Sequence, residues 1–97
     1  MSRRRQDSNA NPRPEYHVPV LKQYRVVLRT EQGQPLLDVV RSIMDLTGAD
    51  QDLANRRMWD SYYNGGAVVS VTHLERAEFI ADQFLRRGSH ATVEPAT

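Results

Sequence analysis

The residue types that most often bind metal ions or transfer protons are scattered along this chain. Its three histidines are His17, His73 and His90, and none has a carboxylate or a second histidine beside it at metal-ligand spacing. A metal site in a protein needs several ligands that converge on one point. We therefore interpret the histidines as surface or helix-capping residues, and we predict no metal site and no cofactor.

Enzymatic chemistry has no sequence signature here. Asp50 and Asp52 could share a site, but both fall at a predicted helix start, where the helix dipole favours acids. Cysteine is absent, which excludes thiol catalysis, disulfides and zinc–thiolate sites. The sequence contains neither a phosphate-binding Walker loop nor a Gly-x-Ser-x-Gly motif. We predict that the chain is not an enzyme and has no catalytic residue.

A polar stretch, RTEQGQ at residues 29–34, separates two apolar runs. It offers a hydroxyl at Thr30, a carboxylate at Glu31 and an amide at Gln34, all of which accept hydrogen bonds. Gly33 supplies the backbone freedom for a tight turn. From the residues alone, the stretch is either a solvated connector or the rim of a binding site.

The elements that would position this loop follow from the hydrophobic period. Residues 23–29 alternate as in a strand, and residues 35–46 have helical spacing. Pro35 suits a first helical position, and Gly48 suits a helix stop. Downstream we predict a helix over 50–63 capped by Asp50, a strand over 67–71, a helix opened by a capping box at Thr72 to Glu75, and a strand over 91–94.

The resulting order, β-α-α-β-α-β, predicts an α+β fold. We expect a two-layer sandwich in which three helices cover one face of a three-stranded antiparallel sheet. The inner face would carry alternating apolar residues, and the other face would be more polar. The residues predicted to face inward on the second strand are Ala67, Val69 and Val71, and those predicted to face outward on the sheet are Arg25, Arg29, Ser70 and Thr92.

Composition sets the broad class. The 97 residues, 39% of them hydrophobic, suffice for one small domain. Residues 1–19 are polar and proline-rich, so we predict a disordered tail before a core domain at 20–97. No apolar region resembling a secretory signal or the roughly 20-residue span of a bilayer is present. We expect a cytoplasmic monomer that does not bind membranes, and the near balance of 13 basic and 12 acidic residues argues against nucleic acid as a partner.

Residues 22–95 resemble the ClpS family, the small adaptors of the Clp AAA+ protease. The matches are local and distributed along the chain. They comprise Tyr24 to Leu28, Pro35 with Val39 and Val40, Ala54 to Met58, Gly65, Ala67 and Val68 with Val71, Glu75 with Ala77 and Glu78, and Thr92 to Glu94. The resemblance implies a peptide-binding adaptor that recognises N-degrons, substrates with a bulky apolar first residue, and hands them to a Clp AAA+ ATPase for protein degradation.

The same resemblance assigns residues to a site. The family loop usually reads Asn-Asp-x-x-Thr-Pro, and with a histidine of the second helix it holds the substrate's α-amino group. This chain has Thr30 and Glu31 at the first two positions, Gln34 at the threonine and Tyr62 at the histidine. The apolar pocket would be formed by Leu36, Val39, Met58 and Ser61. The amino-group rim is therefore altered, whereas three of the four pocket positions stay apolar.

Docking to the ATPase is implied at the start of the third helix, where Glu75 matches the family and Ile80 replaces its lysine.

Three interpretations of the function follow. The first is a divergent adaptor for N-terminal residues, and the second is a ClpS-like interaction domain that has lost this recognition. The third is a nucleic-acid module that uses the arginines at residues 3–5, although a solvated arm is the simpler interpretation of that run.

Overall fold

The computed structural model describes residues 22–96, which contain six elements in the predicted order. The strands are β1 (Tyr24–Arg29), β2 (Ala67–Thr72) and β3 (His90–Pro95), and the helices are α1 (Leu36–Thr47), α2 (Gln51–Tyr63) and α3 (Leu74–Arg86). The element bounds agree closely with those predicted. The predicted tail, residues 1–19, lies outside the described residues, as does His17.

The sheet has β1 in the centre, paired antiparallel with β2 on one side and with β3 on the other. Val26 and Leu28 point to the same face of β1, and both are fully buried. They join one core cluster with buried residues from all three helices, among them Ile43, Ala54 and Phe84. The helices therefore cover one face of the sheet, which is the predicted α+β sandwich.

A β-bulge changes the faces of β2. The register between β1 and β2 shifts by one residue at Val69, which has no direct partner. Beyond the bulge, Ser70 lies opposite the buried Val26, and Val71 lies opposite Arg25 on the outer face and is 53% exposed. The predicted faces of Ser70 and Val71 are thus wrong, because one extra residue in a strand reverses the alternation that follows it.

The helix starts confirm one predicted cap and correct two other predictions, at Pro35 and at Thr72. The Asp50 carboxylate accepts a hydrogen bond from the Leu53 N–H at 2.8 Å, as a cap residue should. Pro35 precedes α1 as its N-cap instead of occupying the first helical position. The predicted capping box at Thr72 is wrong, because Thr72 ends β2. His73 caps α3 instead, and its Nδ1 accepts from the Arg76 N–H.

Candidate functional site

The loop between β1 and α1 is a tight, hydrogen-bonded turn. The Gln34 N–H donates to the Glu31 carbonyl at 3.1 Å, which closes a four-residue turn. Gly33 has φ of 94° at the third position, in the left-handed region that favours glycine. The Glu31 N–H also donates to Gln34 Oε1 at 2.8 Å. Two hydrogen bonds between Glu31 and Gln34 therefore close the turn and fix the backbone that carries the Glu31 side chain.

Thr30 faces helix α2 instead of solvent. It is 6% exposed, and its N–H donates to the Ser61 carbonyl at 3.3 Å. Its Oγ1 lies 2.6 Å from Ser61 Oγ, which itself donates to the Met58 carbonyl at 2.6 Å. Since the single hydroxyl proton of Ser61 is used on Met58, Thr30 is the donor to Ser61. Thr30 therefore fastens the loop to α2, and its hydroxyl is not presented on the surface rim.

Glu31 and Gln34 differ in how free their side chains are. The amide of Gln34 bridges two segments, because its Oε1 accepts from Glu31 and its Nε2 donates to the Gly88 carbonyl at 3.4 Å. The carboxylate of Glu31 is 68% exposed, and its Oε1 lies 3.6 Å from His90 Nε2. Glu31 is thus the predicted rim residue whose acceptor is both charged and openly accessible to a ligand.

Tyr62 belongs to a cluster of aromatic side chains near the end of α2. Its ring meets those of Trp59 and Tyr63 edge-on, with centroids 6.0 and 5.1 Å away. Trp59 and Tyr63 stack at 5.5 Å, and both are exposed, by 42% and 73%. Tyr62 itself is half-buried. One tyrosine of the pair thus packs inward and the other faces solvent, as the spacing of α2 suggests.

The predicted pocket residues lie mostly in the core. Val39, Met58 and Ser61 are 2%, 3% and 1% exposed, whereas Leu36 is half-buried at the edge of the core cluster. A solvent-accessible hollow at Met58 was expected, but the structure buries this side chain. Two surface cavities of about 380 and 240 Å³ lie elsewhere. They are lined by Leu37, Val40, Arg41, Met44, Asp45 and Gln51, and by Asp38, Arg41, Ser42 and Arg87.

The predicted docking residue Glu75 is exposed in the first turn of α3. Ile80, at the position of the family's lysine, is 3% exposed and packs in the core, so it offers no surface contact.

Over residues 22–96, no group of three or more histidine, aspartate and glutamate side chains could hold a metal ion. The helices of this described part are too short and polar to cross a bilayer.

His90 is the residue beside the site that sequence reasoning missed. The pairing of β1 with β3 places it directly opposite Arg29, at the strand end that leads into the loop. The only signal in the sequence was that Arg29 ends the predicted strand over 23–29 and His90 directly precedes the one over 91–94. Strand order and register were needed to bring these two residues together, because local spacing in the sequence does not reveal which strand pairs with which.

Comparison with solved structures identifies the fold. The chain matches the structure of ClpS2 from Agrobacterium tumefaciens bound to L-phenylalaninamide, with a TM-score of 0.73 and 26% sequence identity. The match covers 76% of this chain and 96% of that chain. The chain has a ClpS-like fold. No protein-family model and no curated protein sequence matches the chain. Its similarity to ClpS2 therefore rests on the three-dimensional fold more than on the sequence.

Proposed function

We propose that this chain is an adaptor that binds the N-terminal residue of a polypeptide and delivers that polypeptide to a Clp AAA+ ATPase. The observation that carries the proposal is the match over nearly the full length of a ClpS2 chain holding L-phenylalaninamide. That ligand combines a free α-amino group with an aromatic side chain and an amide, so it resembles the first residue of a peptide. The proposed role is binding and delivery, with no catalytic step.

The proposed ligand's amino group would bind at the loop. An α-ammonium carries a charge and three donors, so it needs acceptors. Glu31 offers an exposed carboxylate from a fixed turn, and hydrogen bonds to a charged acceptor are the stronger kind. Gln34 Oε1 accepts one bond from the Glu31 N–H, and a carbonyl oxygen can accept a second. We assign Glu31 as the main acceptor, with Gln34 and the phenol oxygen of Tyr62 as additional ones.

Thr30 has a different role in this proposal. Its hydroxyl is buried against Ser61, so it contributes to the site by holding the loop against α2. The position of Glu31 then depends on this attachment, because the two residues are consecutive. The altered rim thus keeps one charged acceptor, Glu31, at the surface. Thr30 would not contact the ligand's amino group directly and would instead hold the loop in place.

The ligand's first side chain would enter between α1 and α2. Leu36 is partly exposed and would form the entrance, while Val39 and Met58 lie behind it in the core. Entry then requires these side chains to move, and methionine is well suited because it is unbranched and flexible. We therefore expect the pocket to form as the ligand binds, at some cost in affinity.

Delivery to the ATPase would use the start of α3. Glu75 is exposed there, within the first helical turn. The buried Ile80 removes a second contact implied by the resemblance. We therefore expect docking to a Clp AAA+ ATPase to depend more strongly on Glu75 and its immediate surroundings.

The test is a binding titration with short fluorescent peptides that differ only at the first residue. Peptides beginning with Phe, Leu, Tyr or Trp should bind, and matched peptides beginning with Asp or Gly should bind more weakly. The N-acetylated Phe peptide is the control, since it keeps the side chain and lacks the ammonium. Equal affinity for free and acetylated peptides, or binding of neither, would overturn the proposed recognition of N-terminal residues.

A second function is favoured by the burial of Met58 and Ser61, whose side chains are not open to solvent. In that case the chain is a ClpS-like interaction domain that binds an ATPase or another protein without recognising N-terminal residues. Binding of a Clp ATPase in a pull-down of purified components, together with absence of peptide binding, would select this alternative.

A further inference from the structure

His90 approaches the acceptor assigned to the ligand's amino group. Its Nε2 lies 3.6 Å from Glu31 Oε1, and the two side chains are 58% and 68% exposed. The contact joins the start of β3 to the loop after β1. The loop is fastened to the same region by the bond from Gln34 Nε2 to the Gly88 carbonyl. Two contacts thus hold the loop beside the first residues of β3.

The basic side chains near this pair in the sheet or along the chain make contacts elsewhere. On β1, Arg29 lies opposite His90 in the sheet, and its guanidinium donates to Thr92 Oγ1. At the end of α3, Arg87 forms an ion pair with Asp45 of α1 at 3.0 Å. The neighbouring Arg86 pairs with Asp82 at 2.8 Å. Within residues 22–96, His90 is therefore the basic side chain that the structure places against the Glu31 carboxylate.

We propose that the charge of His90 controls whether Glu31 is free to bind the α-ammonium of a polypeptide N-terminus. When protonated, the imidazolium pairs with the carboxylate and repels the incoming ammonium. When neutral, it releases the carboxylate, and capture of the ammonium is favoured. This inference rests on the proposed function, and it adds a pH-dependent competitor from β3 to an amino-group site otherwise formed by the loop and Tyr62 of α2.

The direction and size of the effect follow from general chemistry. Histidine side chains change charge between about pH 5 and 8, whereas a peptide α-amino group with a pKa of about 7.7–8.0 stays mostly protonated up to neutrality. Affinity should therefore increase from about pH 5.5 to about pH 7.0, the range over which histidine side chains in general become neutral. Because the pair is exposed, the increase should be modest, about two- to fivefold.

The experiment measures the affinity of a histidine-free peptide beginning with Phe, at about pH 5.5 and 7.0, for the full chain and its variants. Wild type should bind more tightly at the higher pH. His90→Gln should bind equally at both, near the wild-type value at the higher pH. His90→Arg, which stays charged, should bind weakly at both. His73→Asn is the matched control, since it replaces an exposed histidine at the other end of the sheet and retains a helix-capping side chain.

The outcomes separate this inference from the proposed function. Loss of the pH dependence in His90→Gln, with its retention in His73→Asn, would support the inference. Peptide binding that is the same at both pH values in wild type, or a pH dependence that persists in His90→Gln, would overturn the inference and leave the proposed function standing. Absence of peptide binding at every pH would overturn both.

Discussion

The hydroxyl oxygen of Thr30 lies 2.6 Å from that of Ser61, and both side chains are buried. Thr30 belongs to the loop after β1, and Ser61 to the last turns of α2. The family resemblance assigns these positions to different parts of a site, the amino-group rim and the apolar pocket. The structure joins them, because a chain of hydroxyl bonds runs from Thr30 through Ser61 to the Met58 carbonyl.

Substitutions at Thr30 and Ser61 should not be additive in stability. Ser61→Ala leaves the Thr30 hydroxyl buried without its partner and should lower the free energy of unfolding by about 1–3 kcal/mol. Thr30→Val removes the donor and should also destabilise. The double variant should lose less than the sum of the single losses, since no unpaired hydroxyl remains. Urea unfolding of the four proteins measures this coupling, and additive losses would contradict it.

Removing the Glu31 carboxylate should weaken peptide binding. Glu31→Ala should lower the affinity for a peptide beginning with Phe about tenfold, equivalent to roughly 1.4 kcal/mol, because the ammonium loses its charged acceptor. Glu31→Gln, which keeps the shape, should lie between Ala and wild type. Glu78→Ala is the control, since Glu78 is an exposed acid on α3. A similar loss in both alanine variants would indicate a general charge effect.

Met58 should be important for stability whether or not it also binds a ligand. It is 3% exposed in the core, so Met58→Ala should cost about 2–5 kcal/mol. Leu37→Ala, at a residue 67% exposed, should change stability by less than about 0.5 kcal/mol. Thermal or urea unfolding distinguishes these values, and a small loss for Met58→Ala would contradict the observed packing.

A conservative change at Met58 tests the pocket separately from the core. Met58→Leu nearly conserves volume and should cost less than about 1.5 kcal/mol. If the first side chain of a peptide displaces Met58, the stiffer leucine should change the relative affinities for peptides beginning with Phe and Leu. Unchanged relative affinities in a well-folded Met58→Leu protein would place the ligand's side chain elsewhere.

Glu75 should affect docking without affecting peptide binding. Glu75→Ala should weaken association with a Clp AAA+ ATPase by about two- to fivefold, as expected for an exposed charge at an interface. Affinity for peptides should not change. Asp52→Ala is the matched control, because Asp52 is likewise an exposed acid in the first turn of its helix. Surface plasmon resonance with immobilised ATPase provides the measurement.

Local patterns in the sequence were enough to predict the elements and several of their ends. The alternation of Tyr24, Val26 and Leu28 predicted β1, and the carboxylate of Asp50 predicted the start of α2. Gly48 ends α1 in the left-handed conformation expected of a helix stop. These features depend on interactions between residues that are close in the chain, so sequence spacing is sufficient to reveal them.

The candidate site depended on contacts that spacing does not encode. The loop's share of the rim was expected to be formed by Thr30, Glu31 and Gln34 together, with Tyr62 from α2. The structure instead turns Thr30 towards Ser61 and leaves Glu31 exposed. The meeting of Glu31 with His90 requires both the strand order and the register of β1 with β3.

The sequence alone therefore determined the order of the elements, the α+β class and the absence of cysteine chemistry. Tertiary structure decided which polar groups of the loop face inward, where a bulge reverses β2, and which histidine approaches the site. The physical reason is that helix periodicity, capping and turns involve neighbouring residues. Burial of a hydroxyl or pairing of two strands, in contrast, depends on how distant segments pack.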